Sequence, residues 1–347
     1  MEKVSGPAGQ AGAAAQRPRR LRTTASMRDL AAETELTTGR LIQPLFVVPG
    51  QDVRRPIGSL RGQSHLSVDR LPEAVEPLLE AGVGGVVLFG QPPEGTKDGA
   101  GSPALDPEGA VPRAVAFLKE RYPELWLATD VCLDPYTDHG HCGLVAGERI
   151  LNDETLPHLA AMALLHARAG ADVVAPSDMM DGRVAAIRAA LDSDGREETV
   201  ILSYAVKYAS SLYAPFREAE GSAPAFGDRR SYQMDPRNAR EALREAALDA
   251  AEGADILMVK PAGPYLDIVH RVAQASDRPV FAYQVSGEYA MLAAASAAGL
   301  VEFEAALLES VVGIRRAGAQ GILTYGCLDL APLLERGRPG ASRIARP

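Results

Sequence analysis

Short apolar runs rich in β-branched residues recur along the chain, and between them apolar positions return at helical spacing. The runs predict eight strands: Leu41–Val48, Gly85–Phe89, Leu125–Val131, Asp172–Pro176, Thr199–Val206, Ile256–Val259, Val280–Val285 and Gly321–Tyr325. Each is too short for a helix and is stopped by glycine, proline or a polar cluster. The intervening patterns predict helices over Leu71–Ala81, Val111–Arg121, Thr155–Ala169, Arg183–Leu191, Pro236–Glu252, Pro264–Ala275, Glu288–Ala298 and Glu302–Ala317. Gly82, Gly170, Gly253 and Gly299 fall where a left-handed C-terminal cap sits. A short helix is also expected at Ser26–Glu35.

Strands alternating with helices, with no internal break, are the pattern of a (β/α)8 TIM barrel of the α/β class, here with an extended N-terminal arm. The expected organisation is an arm over residues 1–35, its first 16 residues disordered, followed by a catalytic barrel over residues 36–347. Pro44 is discordant inside the first strand, because proline cannot donate to a ladder. The long connections Gln91–Gly109, Leu133–Asp153 and Leu212–Asp235 all follow strands and precede helices, which places them on the catalytic face of a barrel.

Composition narrows the function. With 347 residues, 46% hydrophobic and only 5% aromatic, the chain has material for one large core built from Ala, Leu and Val. A formal net charge of −9 argues against nucleic acid or an anionic membrane as partner, since nothing could neutralise a row of phosphates. No run approaches the ~18 apolar residues of a membrane span. Three cysteines, Cys132, Cys142 and Cys327, are too few for a disulfide scaffold and fit a reducing, cytoplasmic setting. The arm carries Arg17, Arg19, Arg20 and Arg22, but Pro18 and the glycines spoil an amphipathic targeting helix, so a flexible arm is expected.

Candidate chemistry sits at strand ends. Lys260 closes the apolar run Ile256–Val259, and Lys207 closes Thr199–Val206. An ammonium taken out of water loses hydration and tends to shed its proton, and a neutral amine attacks carbonyls, so both are Schiff-base candidates. One such lysine alone is better explained by a head that snorkels to solvent. Asp130, Ser177, Ser286 and Tyr325 end other strands, so six polar residues converge on one rim if the barrel closes. The loop Asp130-Val-Cys-Leu-Asp-Pro-Tyr-Thr-Asp-His-Gly-His-Cys142 gathers the potential metal ligands Cys132, Asp134, His139, His141 and Cys142. Its alternative is a polar loop with unligated thiols. Arg217 and Arg229 or Arg230 could pair with a substrate carboxylate or simply cap helices, and Gly287-Glu288 could open a helix N-terminus toward an anion.

These stretches, with Ala175-Pro-Ser-Asp-Met-Met-Asp-Gly-Arg183, Ser203-Tyr-Ala-Val-Lys-Tyr-Ala209, Met258-Val-Lys-Pro-Ala262 and Tyr283-Gln-Val-Ser-Gly-Glu288, resemble in order the porphobilinogen synthase (δ-aminolevulinic acid dehydratase) family, from about Arg17 to Pro332. The resemblance implies a hydro-lyase that condenses two 5-aminolevulinate molecules to porphobilinogen with loss of two waters, an early step of tetrapyrrole synthesis. It implies that Lys260 forms the Schiff base with the propionate-half molecule, whose carboxylate meets Ser286 and Tyr325, and that Lys207 engages the acetate-half molecule, whose carboxylate meets Arg217, Arg229 and Gln233. Asp130 and Ser177 would lie beside the lysines, with Tyr213, Phe216 and Tyr283 lining the pocket. Zinc-dependent members carry three cysteines in the metal loop, whereas here the middle position is Asp134 between Cys132 and Cys142. Replacing a soft thiolate with a harder oxygen should weaken zinc, so a weak or exchangeable site is expected. The resemblance further implies an allosteric magnesium at Glu245 and a homo-octamer built from dimers through the N-terminal arm. Competing readings are an aldolase-like lyase using a single Schiff-base lysine and a noncatalytic ligand-binding barrel.

Overall fold

In the computed structural model, which describes residues 16–336, every one of the eight apolar runs is a strand: β1 Leu41–Val47, β2 Gly85–Gly90, β3 Leu127–Val131, β4 Val173–Pro176, β5 Val200–Lys207, β6 Ile256–Lys260, β7 Val280–Tyr283 and β8 Gly321–Leu323. Neighbours pair parallel in chain order, and β8 returns to β1 through Leu41↔Ile322 and Ile42↔Leu323, which closes the barrel. Strands covered on one side by helices and on the other by the barrel interior are buried on both faces and mostly apolar, so the runs do not alternate. Helices follow: α1 Pro72–Glu80, α2 Ala110–Arg121, α3 Asn152–Ala169, α4 Arg183–Ser193, α5 Arg240–Ala251, α6 Leu266–Ala275, α7 Ser286–Ala297, α8 Phe303–Ala317 and α9 Cys327–Arg336. Gly82, Gly170, Gly253 and Gly299 take positive φ at the helix ends. No helix among the described residues is long and apolar enough to cross a membrane.

Pro44 fits without loss. The Ile42 carbonyl accepts from Thr324 N, and in a parallel strand the next residue to face β8 is Pro44, where β8 has already ended at Leu323. The missing N–H has no partner to lose.

Some boundaries differ from the sequence pattern. α5 begins at Arg240 rather than Pro236, because the Asp235 carboxylate accepts from Arg237 N and makes a turn there. α7 begins at Ser286 rather than Glu288, because the Glu288 carboxylate reaches back to Val285 N at 2.8 Å. Two antiparallel hairpins, Arg54–Pro56 with Ser64–Leu66 and Leu144–Ala146 with Arg149–Leu151, were not expected, nor was the short helix Ala214–Glu220. Three-residue strands are too short to show a period.

Of the described residues, 16–35 belong to a separate unit. Within it, a 3-10 turn Pro18–Arg22 leads to a helix Ala25–Leu30, capped by Thr24 Oγ1 accepting from Met27 N at 3.1 Å. The helix is shorter than expected, and Leu21, Met27 and Leu30 are exposed on this unit. The expected disorder of the first 16 residues falls, except for Gln16, outside the described residues.

Candidate active site

Lys207 and Lys260 are the last residues of adjacent strands β5 and β6 and pair directly across the ladder. How both reach the barrel interior depends on a bulge. Leu257 pairs with Ser203, but Val259 pairs with Val206, so three steps along β5 match two along β6. Ser203 faces the helices, where its hydroxyl meets Arg183 and Asp249. Tyr204 faces inward, its ring 5.8 Å from Lys207 Nζ and 5.1 Å from Lys260 Nζ. Strict alternation would send Lys207, three residues after Tyr204, to the opposite face; the extra residue turns it back. Arg183 secures this stretch from behind, pairing with both oxygens of Asp249 at 3.0 and 2.8 Å and donating to Ser203 Oγ at 3.0 Å. Lys207 Nζ donates to the Ser177 carbonyl.

Lys260 Nζ is enclosed by the rings of Tyr283, Phe216, Tyr204 and Tyr213 at 4.5, 4.8, 5.1 and 5.3 Å, and the residue is 4% exposed. Burial, and then the charge of Lys207, bring its pKa down to about 7 against the opposing pull of Asp130, Glu220 and Asp134. It is therefore substantially a free amine at neutral pH. Asp130, one residue before the end of β3, is raised to about 7 by burial and by Asp134, and is hydrogen-bonded with Ser177. Its Oδ1 has no partner within the protein.

Cys132, Asp134 and Cys142 come together with their ligand atoms within 4.8 Å of one another, the one group of three or more potential ligands that close among the described residues. Two thiols and a carboxylate are a donor set that fits zinc. Burial pushes the Cys132 thiol well up. Burial also opposes ionisation of Cys142, but its hydrogen bond with Cys132 and the Arg229 charge bring it below the ordinary thiol range. Asp134 is engaged elsewhere: Arg229 Nη2 donates to it at 2.9 Å, and despite burial this charge and that of Lys207 hold the carboxyl at about 2. His139 and His141 stand apart from the cluster, tied to Gly99 O, Phe226 O and the Tyr232 hydroxyl.

A second cluster is rich in unused donors. Arg217 Nε, Arg229 Nε and both polar atoms of the Gln233 amide are buried without a partner. Burial, and then the adjacent Arg229, lower the Arg217 pKa. Buried unsatisfied donors on two cations are what an absent anion would complete. Arg230 is left out, its side chain 80% exposed. On the other side, Tyr283 and Tyr325 share a hydrogen bond of 2.9 Å between hydroxyls, and Ser286 Oγ accepts from Phe216 N at 3.1 Å. Ser286 lies at the start of α7 and Tyr325 two residues past β8, rather than at strand ends. Tyr213 donates to Tyr208 O at 2.7 Å.

Glu245 is on α5, half-buried in a cleft shared with Glu148, Asn152, Asp181, Asp235 and Glu241 and lined also by Gln233. Burial, and then Asp249 and Asp181, raise its pKa. Sequence reasoning missed Tyr204, which reads as one more position of its apolar run, and Glu220, which ends the unexpected short helix.

Fold and site together define a class: a (β/α)8-barrel enzyme with two adjacent buried amines at the C-terminal ends of its strands. A family model for delta-aminolevulinic acid dehydratase matches residues 15–333. A delta-aminolevulinic acid dehydratase of Streptomyces coelicolor is 52% identical over 320 residues, 92% of this chain and 97% of that one. One from Mycobacterium tuberculosis is 51% identical over 318 residues, 91% and 96% of the two chains. The crystal structure of delta-aminolevulinic acid dehydratase (porphobilinogen synthase) from Toxoplasma gondii, in complex with the reaction product porphobilinogen, is similar with a TM-score of 0.91, 44% identity and 96% of each chain covered. The chain belongs to the delta-aminolevulinic acid dehydratase family.

Proposed function

We propose that this barrel condenses two molecules of 5-aminolevulinate to porphobilinogen, releasing two waters, with Lys260 and Lys207 as the amines that capture the two ketones. The observation that carries this reading is the direct pairing of the two lysines across β5 and β6 in one buried space. Lys260, with its pKa near 7, attacks a ketone carbon as a free amine, and loss of water gives the Schiff base. The Schiff base withdraws electrons from the neighbouring carbon and makes its proton removable. Asp130, its pKa also near 7, is placed to move protons beside both lysines, with Ser177 orienting it. The unpaired Arg217, Arg229 and Gln233 atoms support a seat for one substrate carboxylate. Ser286 and the Tyr283–Tyr325 hydroxyl pair support a seat for the other, with Phe216 and Tyr213 closing the cavity.

Zinc held by Cys132, Asp134 and Cys142 would supply a Lewis acid at the edge of the cavity. The Arg229–Asp134 pair supports a weak, exchangeable site, since the metal must compete with a guanidinium for the same carboxylate. The acidic cleft around Glu245 supports an allosteric magnesium, a cation that keeps most of its waters. Residues 1–35 are assigned as an assembly arm that builds a homo-octamer from dimers, residues 36–347 as the catalytic barrel, and the location as cytoplasmic.

The test is borohydride reduction in the presence of 5-aminolevulinate, followed by peptide mass analysis, with a colorimetric pyrrole assay alongside. Lys260→Met is expected to abolish the reduced adduct at position 260, and Lys260→Met and Lys207→Met are each expected to lower turnover at least ~10³-fold. Pyrrole formation at the wild-type rate by either variant would overturn the reading.

A further inference from the structure

The two lysines and the two carboxylate seats account for the ketone and acid groups of 5-aminolevulinate but leave its ammonium without a partner. Glu220 is placed to answer that need. It ends the short helix Ala214–Glu220, which also carries Phe216 over Lys260 and Arg217 beside the unpaired donors. It is 1% exposed, and neither carboxyl oxygen has a hydrogen-bond partner in the protein. The nearby lysine does not serve it: Lys97 Nζ donates instead to the Gly221 carbonyl at 2.8 Å. The helix end is fixed, with Gln91 Nε2 and His65 Nε2 both donating to Ala219 O at 2.5 Å. Glu220 acts electrostatically on Lys260, Tyr204, Tyr283 and Tyr325, the groups around the reacting amine, and it also borders the open cleft lined by Gln91 and Lys97. A buried carboxyl that the protein leaves unsatisfied is costly unless something else completes it.

We propose that the Glu220 carboxylate is the seat for the ammonium group of a bound 5-aminolevulinate. Burial and the charges of Asp134 and Asp130 push the carboxyl well above its ordinary range. An arriving ammonium favours the ionised form, and the displaced proton leaves to solvent. The inference rests on the proposed condensation of 5-aminolevulinate.

Levulinate separates the two, since it has the same ketone and carboxylate but no amine. Borohydride trapping on the full chain is measured against the concentration of each ketone, for wild type, Glu220→Gln and Glu220→Ala. The expected result is a rise of about tenfold or more in the 5-aminolevulinate concentration for half-maximal trapping in both variants, with levulinate trapping unchanged. Equal weakening of both ketones, or no change in either, would overturn the proposal, because a role in holding the helix or Lys260 does not distinguish them. The second variant guards against a local packing fault in the first, and levulinate trapping reports folding on the same sample. If wild type traps neither ketone and forms no pyrrole, the condensation itself fails and this inference with it.

Discussion

At the scale of single residues, the site is governed by which charges are left without company. Lys260 has a pKa near 7 in the fold against an ordinary 10.5. Between those values the unfolded chain binds more protons than the folded one, so this group's contribution to stability rises with pH from about 7 to 10.5. Below 7 both states are protonated and the cost of burying the charge is felt in full. Lys260→Met should therefore raise stability below pH 7 by on the order of 1–3 kcal/mol, a gain that fades toward alkaline pH in thermal melts. The rate of ketone trapping in wild type should climb as pH rises through about 7 and then level off, if the free amine of Lys260 is the nucleophile as proposed. Asp134→Cys should bind zinc at least ~10-fold more tightly in chelator competition, as a third thiolate replaces a carboxylate already paired with Arg229. The two lysines were visible in the sequence because a cation rarely ends an apolar run. The Arg229–Asp134 pair was not, since residues 95 positions apart show no mutual signal.

At the scale of elements, the bulge in β5 decides where Lys207 points, and Arg183 holds that stretch. Arg183 is 2% exposed and faces Asp249 and Asp178, while donating to Ser203. Arg183→Met should cost about 3–5 kcal/mol, read from the urea midpoint, because it strands buried carboxylates. All eight barrel strands were legible, since doubly covered parallel strands are continuous apolar runs bounded by breakers. The bulge was hidden, because a shift in register belongs to two strands and the sequence presents them singly. The short helix Ala214–Glu220 was hidden too: about two turns carrying Pro, Arg and two Glu are too short to show an apolar period.

At the scale of the whole molecule, the formal charge of −9 stands against an arm with Arg17, Arg19, Arg20 and Arg22. Removing residues 1–25 should reduce the particle size in sedimentation or light scattering if the arm builds the octamer; an unchanged size would end that assignment. Added salt should weaken the assembly in the same measurement, since exposed charge pairs are screened.

The same helix that carries Phe216 and Glu220 is fastened from several sides, by Gln91 and His65 at Ala219 O, by Lys97 at Gly221 O and by Ser286 at Phe216 N. Lys260 lies beneath it, 4% exposed, so those ties limit the approach to its amine from this side. Where the loosening of this roof is slower than the chemistry, the pace of the catalyst is set by its breathing rather than by its bond-making.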